Sequence, residues 1–166
     1  MGGALLAAGG LVAGSWRARP GRGPARPLRF FSPAEFATMS AVADTFIAAP
    51  SDQKDIPSPA DVQLVERLDA ALAEEDPRET KDLKTLLFLL ERGAPILGLR
   101  LGFFSAMSDD ARAAYLAGWE SSLLSFKRSA FAALHYLVFL HYYDDPRTWA
   151  GIGYPGPREI VGMKFR

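Results

Sequence analysis

The two histidines of the chain are the residues best suited to acid–base or metal chemistry, and both fall late in the sequence. His135 and His141 are six positions apart in a segment whose pattern predicts a helix. At about 100° per residue they point about 120° away from each other, so they cannot chelate one ion together. The spacing therefore predicts two hydrogen-bonded core or rim residues rather than ligands of a shared metal ion.

A polar and aromatic group, His141-Tyr142-Tyr143-Asp144, lies at the end of the same predicted helix. No Ser-His-Asp arrangement can be ordered from the spacing, and no H-E-x-x-H motif occurs. With no nucleophile and no second acid in register, the group does not amount to an active site. We therefore expect this chain to have no catalytic residue, no metal site and no cofactor of its own.

The letters G-x-G-x-x-G occur in Gly151 to Gly156, but their context differs from that of a dinucleotide site. They follow a predicted helix and a polar turn rather than a strand. Pro155 and Pro157 also prevent a helix from starting there. We interpret the motif as a rigid turn that presents Trp149 and Tyr154.

Aromatic residues held on a proline-stiffened turn are suited to anchoring a partner protein. The alternative is that they fold back onto the helices. The residues predicted to contact a partner are Trp149, Tyr154, Tyr142 and Tyr143.

The composition excludes several classes of site. The chain has no cysteine, which excludes disulfides, thiolate zinc sites, iron–sulfur clusters and c-type haem attachment. Its formal net charge is zero, but the first 33 residues hold five arginines and no acid. The remainder is therefore acidic and repels a phosphate backbone, so we expect no nucleic-acid partner.

An apolar run of about a dozen residues, Gly2 to Gly14, precedes the arginines. It is too short to span a bilayer comfortably and is close in length to the hydrophobic region of an export signal. No basic residue precedes the run, and the arginines after it oppose translocation. It could be an export signal whose start lies upstream, a relic of one, a short arm that touches a membrane, or a flexible tail without a role.

The domain organisation follows from these features. Residues 1–29 are predicted to be the signal-like segment and an extended Arg/Pro/Gly-rich linker, and residues 30–166 the folded domain.

Helix start signals recur in the folded domain. Ser32 to Glu35, Ser58 to Asp61 and Asp76 to Glu79 each combine a capping residue, a proline and a carboxylate. Apolar residues three to four apart follow each signal and predict three helices. The third helix is expected to stop at Gly93.

Further helices are predicted in the second half of the chain. Pro95 to Phe104 indicates a short, buried, irregular helix, and Ser108 caps a helix through Trp119. The last helix, Leu123 to Tyr142, is apolar nearly all round, which is typical of the centre of a bundle. No segment alternates with period two. We predict an all-α, irregular or orthogonal bundle of five to six helices, with a turn-rich C-terminal tail from Asp144.

Several of these segments together resemble the gluconate 2-dehydrogenase subunit 3 family. Residues 36 to 47, FATMSAVADTFI, followed by Pro50, are similar to the helix that opens that family. Next come a Val/Leu/Asp helix over residues 62 to 72, a Phe-Phe-x-x-Met-Ser stretch before a helix containing Arg112, and a late aromatic helix. The ending from Tyr142 to Pro157 is similar to the family's tail and to the segment before the flavin domain of long-chain alcohol oxidases. The resemblance covers residues 30 to about 157.

The resemblance implies a small accessory subunit with no catalytic residue. Members are encoded with a FAD-containing catalytic subunit of the glucose–methanol–choline (GMC) type, sometimes with a cytochrome subunit. They carry a twin-arginine export signal and are thought to escort the folded flavoprotein across the membrane, which would place this chain in the periplasm or cell envelope. No Arg-Arg pair precedes the apolar run here, which departs from the family's pattern.

Two other functions remain open from the sequence. One is a membrane-associated helical protein of unrelated function, anchored through residues 2–14. The other is a small enzyme or redox carrier that uses the polar group of His135, His141, Tyr142 and Asp144.

Overall fold

The computed structural model describes residues 23–48, 56–96 and 102–156, and within these ranges it is helical and contains no strand. The predicted all-α bundle is thereby confirmed. Its helices are α1 (Pro33–Phe46), α2 (Leu64–Leu72), α3 (Pro77–Ile96), α4 (Asp109–Glu120) and α5 (Ser125–Tyr143), with 3-10 segments at Phe104–Ala106 and Pro146–Ile152. The N-terminal apolar run lies outside the described residues. None of the helices in the described ranges is long and apolar enough to cross a membrane.

The predicted caps of α1 and α4 are confirmed. The Ser32 hydroxyl accepts a hydrogen bond from the Glu35 N–H at 3.3 Å, and the Glu35 carboxylate accepts one from the Ser32 N–H at 2.8 Å. This reciprocal pair satisfies two N–H groups that a helix start leaves without a partner. At α4, the Ser108 hydroxyl accepts from the Ala111 N–H at 3.4 Å.

The second start signal forms a turn rather than the start of a helix. Ser58 and Asp61 make the same reciprocal hydrogen bonds, at 2.8 and 3.2 Å, but they close a turn over residues 59–63. Gln63 has a left-handed backbone with φ 49°, and α2 begins only at Leu64. A cap fixes only one turn of the chain. Here the left-handed Gln63 changes the direction of the chain after that turn, before α2 begins.

Helix α3 does not stop at Gly93, contrary to the prediction, and extends to Ile96. A Cβ atom added at Gly93 would lie 2.8 Å from the hydroxyl oxygen of Tyr115 on α4. The glycine therefore permits close packing of two helices and does not end one. Of the irregular helix predicted after it, residues 97–101 lie outside the described ranges, and Phe104 is buried in a 3-10 turn.

The centre of the bundle is α1, not the last helix as predicted. Helix α1 contacts each of the other four α-helices, and its Met39, Val42 and Ala43 are fully buried. Short side chains on α1 let its neighbours approach closely. Helix α5 buries one face and leaves the opposite face open, where Tyr136 is 65% exposed and Leu140 is 51% exposed. An apolar composition on all sides of a helix does not show which of its faces other helices cover.

Two buried carboxylates connect parts of the chain that are distant in sequence. Asp69 on α2 accepts hydrogen bonds from the backbone N–H groups of Arg29, Phe30 and Phe31 at 2.8 to 3.0 Å. These bonds hold the end of the predicted N-terminal linker against α2. Glu91 on α3 accepts from the Ser105 N–H and hydroxyl at 3.0 and 2.7 Å, and therefore joins α3 to the 3-10 turn that precedes α4.

Two glycines in open space test how the backbone conformation affects stability. Gly118 lies in α4 and Gly153 is left-handed with φ 66°, and a Cβ added at either would contact nothing. Gly118→Ala is expected to raise the free energy of unfolding by about 0.5–1 kcal/mol because alanine favours helix. Gly153→Ala is expected to lower it by about 1 kcal/mol because of the left-handed backbone. Urea unfolding followed by circular dichroism measures both, and equal shifts in one direction would contradict the assignment.

Candidate partner-binding site

Tyr142, one of the four aromatic residues predicted to contact a partner, is a core residue. Its side chain is 2% exposed, and its hydroxyl donates a hydrogen bond to the Pro57 carbonyl at 2.6 Å. Burial raises the pKa of this hydroxyl, and the neighbouring Tyr143, Asp61 and Asp145 raise it further. Tyr142 therefore anchors α5 to the turn before α2, and we leave it out of the surface offered to a partner.

The other three residues form one group, which we call the C-terminal aromatic cluster (Tyr143, Trp149 and Tyr154). The Trp149 indole N–H donates to the Tyr143 carbonyl at 2.7 Å. The rings of Trp149 and Tyr154 meet edge to face with centroids 5.2 Å apart. Tyr154 is 44% exposed, whereas Trp149 and Tyr143 are partly buried. Trp149 thus forms the partly buried base of the cluster, and Tyr154 is its most exposed member.

The 3-10 segment Pro146–Ile152 positions the cluster through its own capping contacts. The Asp145 carboxylate accepts from the Arg147 backbone N–H at 3.0 Å and from its guanidinium at 2.7 and 2.9 Å. The guanidinium hydrogen bond is the main reason that the pKa of Asp145 falls to about 2. The buried Thr148 hydroxyl lies 2.8 Å from the Asp145 carbonyl, to which it donates. The segment is therefore fixed to the end of α5.

The G-x-G-x-x-G letters form a turn, as predicted, and no strand precedes them within the described residues. Gly151 lies in the last turn of the 3-10 segment next to Ile56, where a Cβ would lie 3.0 Å from a side-chain carbon. Gly156 is left-handed with φ 96°, and a Cβ there would lie 3.2 Å from the Trp149 ring. These glycines serve close packing and turn geometry around the aromatic cluster.

The two histidines occupy different environments. His135 is exposed, and its ring lies 4.3 Å from the Phe139 ring and 5.3 Å from the Phe46 ring. His141 is partly buried, and its Nδ1 lies 3.0 Å from the Leu137 carbonyl oxygen within the same helix. In the part of the chain that the structure describes, no three His, Asp or Glu side chains are grouped so that they could hold a metal ion.

Two exposed apolar surfaces were not predicted from the sequence. The first is the uncovered side of α5, around Tyr136 and Leu140. The second lies beside α3, where the Arg92 guanidinium stands 5.4 Å from the Phe88 ring centroid and 5.5 Å from that of Phe103. The four-residue spacing of Phe88 and Arg92 on a helix was the one available signal for the second surface.

In comparisons with known proteins, no family model, no curated protein and no solved structure matched this chain.

Proposed function

We propose that this chain is a non-catalytic accessory subunit that binds and stabilises a GMC-type, FAD-containing sugar or alcohol dehydrogenase. In the same proposal it escorts that flavoprotein for export to the periplasm or cell envelope. FAD belongs to the partner subunit, and a cytochrome subunit could complete the complex.

The observation that carries the proposal is the ordered resemblance of segments over residues 30 to 157 to the gluconate 2-dehydrogenase subunit 3 family. The all-α fold supports it, because residues 36 to 47 fall almost wholly in α1, the Val/Leu/Asp segment runs into α2, and the late aromatic segment forms α5. Arg112, part of the resembling pattern, is buried in α4. The likeness therefore follows helices and their connections, which are the features that define a domain.

The C-terminal aromatic cluster is the surface that we propose for the dehydrogenase. Tyr154 and the neighbouring Ile152 are 44% and 55% exposed, and both stand on backbone fixed by the Asp145 cap and the left-handed Gly153. A rigid aromatic side chain loses little conformational entropy when a partner covers it, which favours its use as an anchor.

Co-expression tests the function directly. The chain, affinity-tagged, is produced together with the GMC-type dehydrogenase of its own genome, and the eluate is examined by gel and visible spectrum. A stoichiometric flavoprotein with flavin absorbance is the expected result. A folded, colourless protein that elutes alone at every salt concentration tested would overturn the proposal.

Tyr154→Ala is expected to reduce the amount of captured flavoprotein about tenfold or more, since truncation of an aromatic anchor costs about 2 kcal/mol. Helical content should stay unchanged because Tyr154 lies outside the α-helices. The matched control is Phe88→Ala, an exposed aromatic residue on α3 outside the cluster. Equal capture by the Tyr154 variant and the wild type, measured by densitometry, would remove Tyr154 from the interface.

A further inference from the structure

The uncovered side of α5 is unusual for a surface exposed to water. From Ser129 to Tyr143 the helix contains no Asp, Glu, Lys or Arg. Its exposed residues include Tyr136 at 65% and Leu140 at 51%, and an open concave area lies over Tyr136, Phe139 and Tyr143. A contiguous apolar surface of this kind usually marks an interface.

The residues on this side are sorted by size along the helix. We define the open face of α5 as the positions that lie within about 60° of Tyr136 on the helix surface. Small side chains occupy the half before Tyr136 and large ones the half after it. The members are Ser129, Ala132, Ala133, Tyr136, Phe139, Leu140 and Tyr143.

This order makes the open face complementary to a second copy of itself in reverse direction. In an antiparallel pair centred on Tyr136, residues equally far from the centre on the two helices share one level. Ala132 and Ala133 of one copy then lie at the same level along the helix pair as Phe139 and Leu140 of the other. Bulky side chains fill the space that alanines leave, as required for close helix packing.

The charges at the two ends follow the same symmetry. The exposed Arg128 lies eight residues before Tyr136. Asp144, whose side chain is 77% exposed and pairs with Arg67 of its own chain at 3.3 Å, lies eight residues after it. Antiparallel pairing therefore brings the Arg128 end of each copy to the Asp144 end of the other, twice per pair. A parallel pair would instead place like charges at the same level.

From these two complementarities we infer that the open face of α5 joins two copies of this chain into a dimer with twofold symmetry. A twofold interface requires that a surface complement itself, and both side-chain size and charge meet that requirement here. Burial of the apolar residues supplies the driving force, and the charged ends set the direction and register. The inference does not depend on the proposed dehydrogenase partner: the two surfaces meet at Tyr143, but the dehydrogenase surface is centred on Tyr154 and the dimer surface on Tyr136.

Charge exchange tests the pairing and its direction together. In the Arg128→Asp variant both end contacts become acid against acid, and in the Asp144→Arg variant both become base against base. Each variant alone is expected to dimerise about tenfold more weakly than the wild type at low ionic strength. An equimolar mixture should recover the wild-type affinity, because every end contact in the mixed dimer joins opposite charges.

Sedimentation velocity of the full chain over a range of concentrations gives the dissociation constants. Leu140→Glu should abolish the dimer, whereas Phe88→Glu, at a residue exposed to a similar degree on α3, should leave it intact. A wild-type chain that stays monomeric up to about 100 μM, a Kd corresponding to about 5.5 kcal/mol, would overturn the inference. So would a mixture of the two charge variants no tighter than either alone. Loss of flavoprotein capture by Leu140→Glu, with a monomeric wild type, would assign the open face to the dehydrogenase instead.

Discussion

Replacement of Glu91 by alanine is expected to lower the free energy of unfolding by about 3 kcal/mol. Glu91 is 3% exposed and accepts hydrogen bonds from the Ser105 N–H at 3.0 Å and the Ser105 hydroxyl at 2.7 Å. The Thr38 hydroxyl on α1 also lies 3.1 Å from the same carboxylate. Alanine leaves the Ser105 donors without this partner and a cavity between α1 and α3, and each such loss costs about 1–3 kcal/mol.

Two companion variants separate the causes of the Glu91 effect. Glu91→Gln keeps the shape, one acceptor oxygen and an amide that can donate to the Ser105 hydroxyl, so it should cost only about 1 kcal/mol. The exposed Glu75→Ala should stay within about 0.5 kcal/mol of the wild type. Thermal unfolding should show a fall of about 10 °C for Glu91→Ala. A fall as small as that of Glu75→Ala would contradict the role of this carboxylate.

Start signals that depend on adjacent residues could be predicted from the sequence. Ser32 with Glu35 and Ser108 with its following acids form their caps from groups three residues apart, so neighbouring letters contain the needed information. The aromatic turn was also predictable, because Pro155 restricts the backbone locally and the glycines permit left-handed conformations. These elements account for the starts of α1 and α4 and for the position of the candidate partner surface.

Features that depend on the packing of distant segments could not be predicted in this way. A glycine such as Gly93 often ends a helix, but the hydroxyl of Tyr115 from α4 lies so close to it that Gly93 serves helix packing instead. The sequence around Tyr142 predicts an aromatic residue at the surface, but its hydroxyl donates a hydrogen bond to the carbonyl of Pro57, 85 residues earlier. Asp69 and Glu91 showed no pattern at all, since their partners come from segments far away in the chain.

The open face of α5 explains why the prediction that α5 lies at the centre of the bundle was wrong. The apolar pattern all round α5 predicted a helix at the centre of the bundle, covered on every side. Within the described residues the bundle covers one face, with Leu134, Val138 and Tyr142 buried. The inferred second copy would cover the other face. The apolar composition of α5 would then reflect two interfaces, one within the chain and one between two copies.

Asp69→Asn is expected to lower the free energy of unfolding by about 2–3 kcal/mol at neutral pH. The wild-type carboxylate accepts three backbone N–H groups, from Arg29 at 2.8 Å, Phe30 at 3.0 Å and Phe31 at 2.8 Å. An asparagine offers one acceptor oxygen and turns an NH₂ donor toward the remaining N–H, so at least one of the three donors loses its partner. Trypsin should then cut faster after the exposed Arg29, while Asp82→Asn, at an exposed site on α3, changes neither property.

The pH dependence of the same pair distinguishes the charge of Asp69 from its shape. Burial raises the pKa of this carboxyl, but the N–H groups of Phe31, Arg29 and Phe30 together outweigh burial and hold the pKa below the ordinary 3.8. A group whose pKa is lower in the folded state stabilises the protein above its unfolded pKa of about 3.9, and this contribution disappears as the pH falls through the folded pKa. The stability difference between wild type and Asp69→Asn should therefore be constant from about pH 7 to 5 and shrink below about pH 4. Urea unfolding at each pH measures it, and a difference that persists unchanged at pH 3 would mean that the shape of the side chain, rather than its charge, holds residues 29–31 against α2.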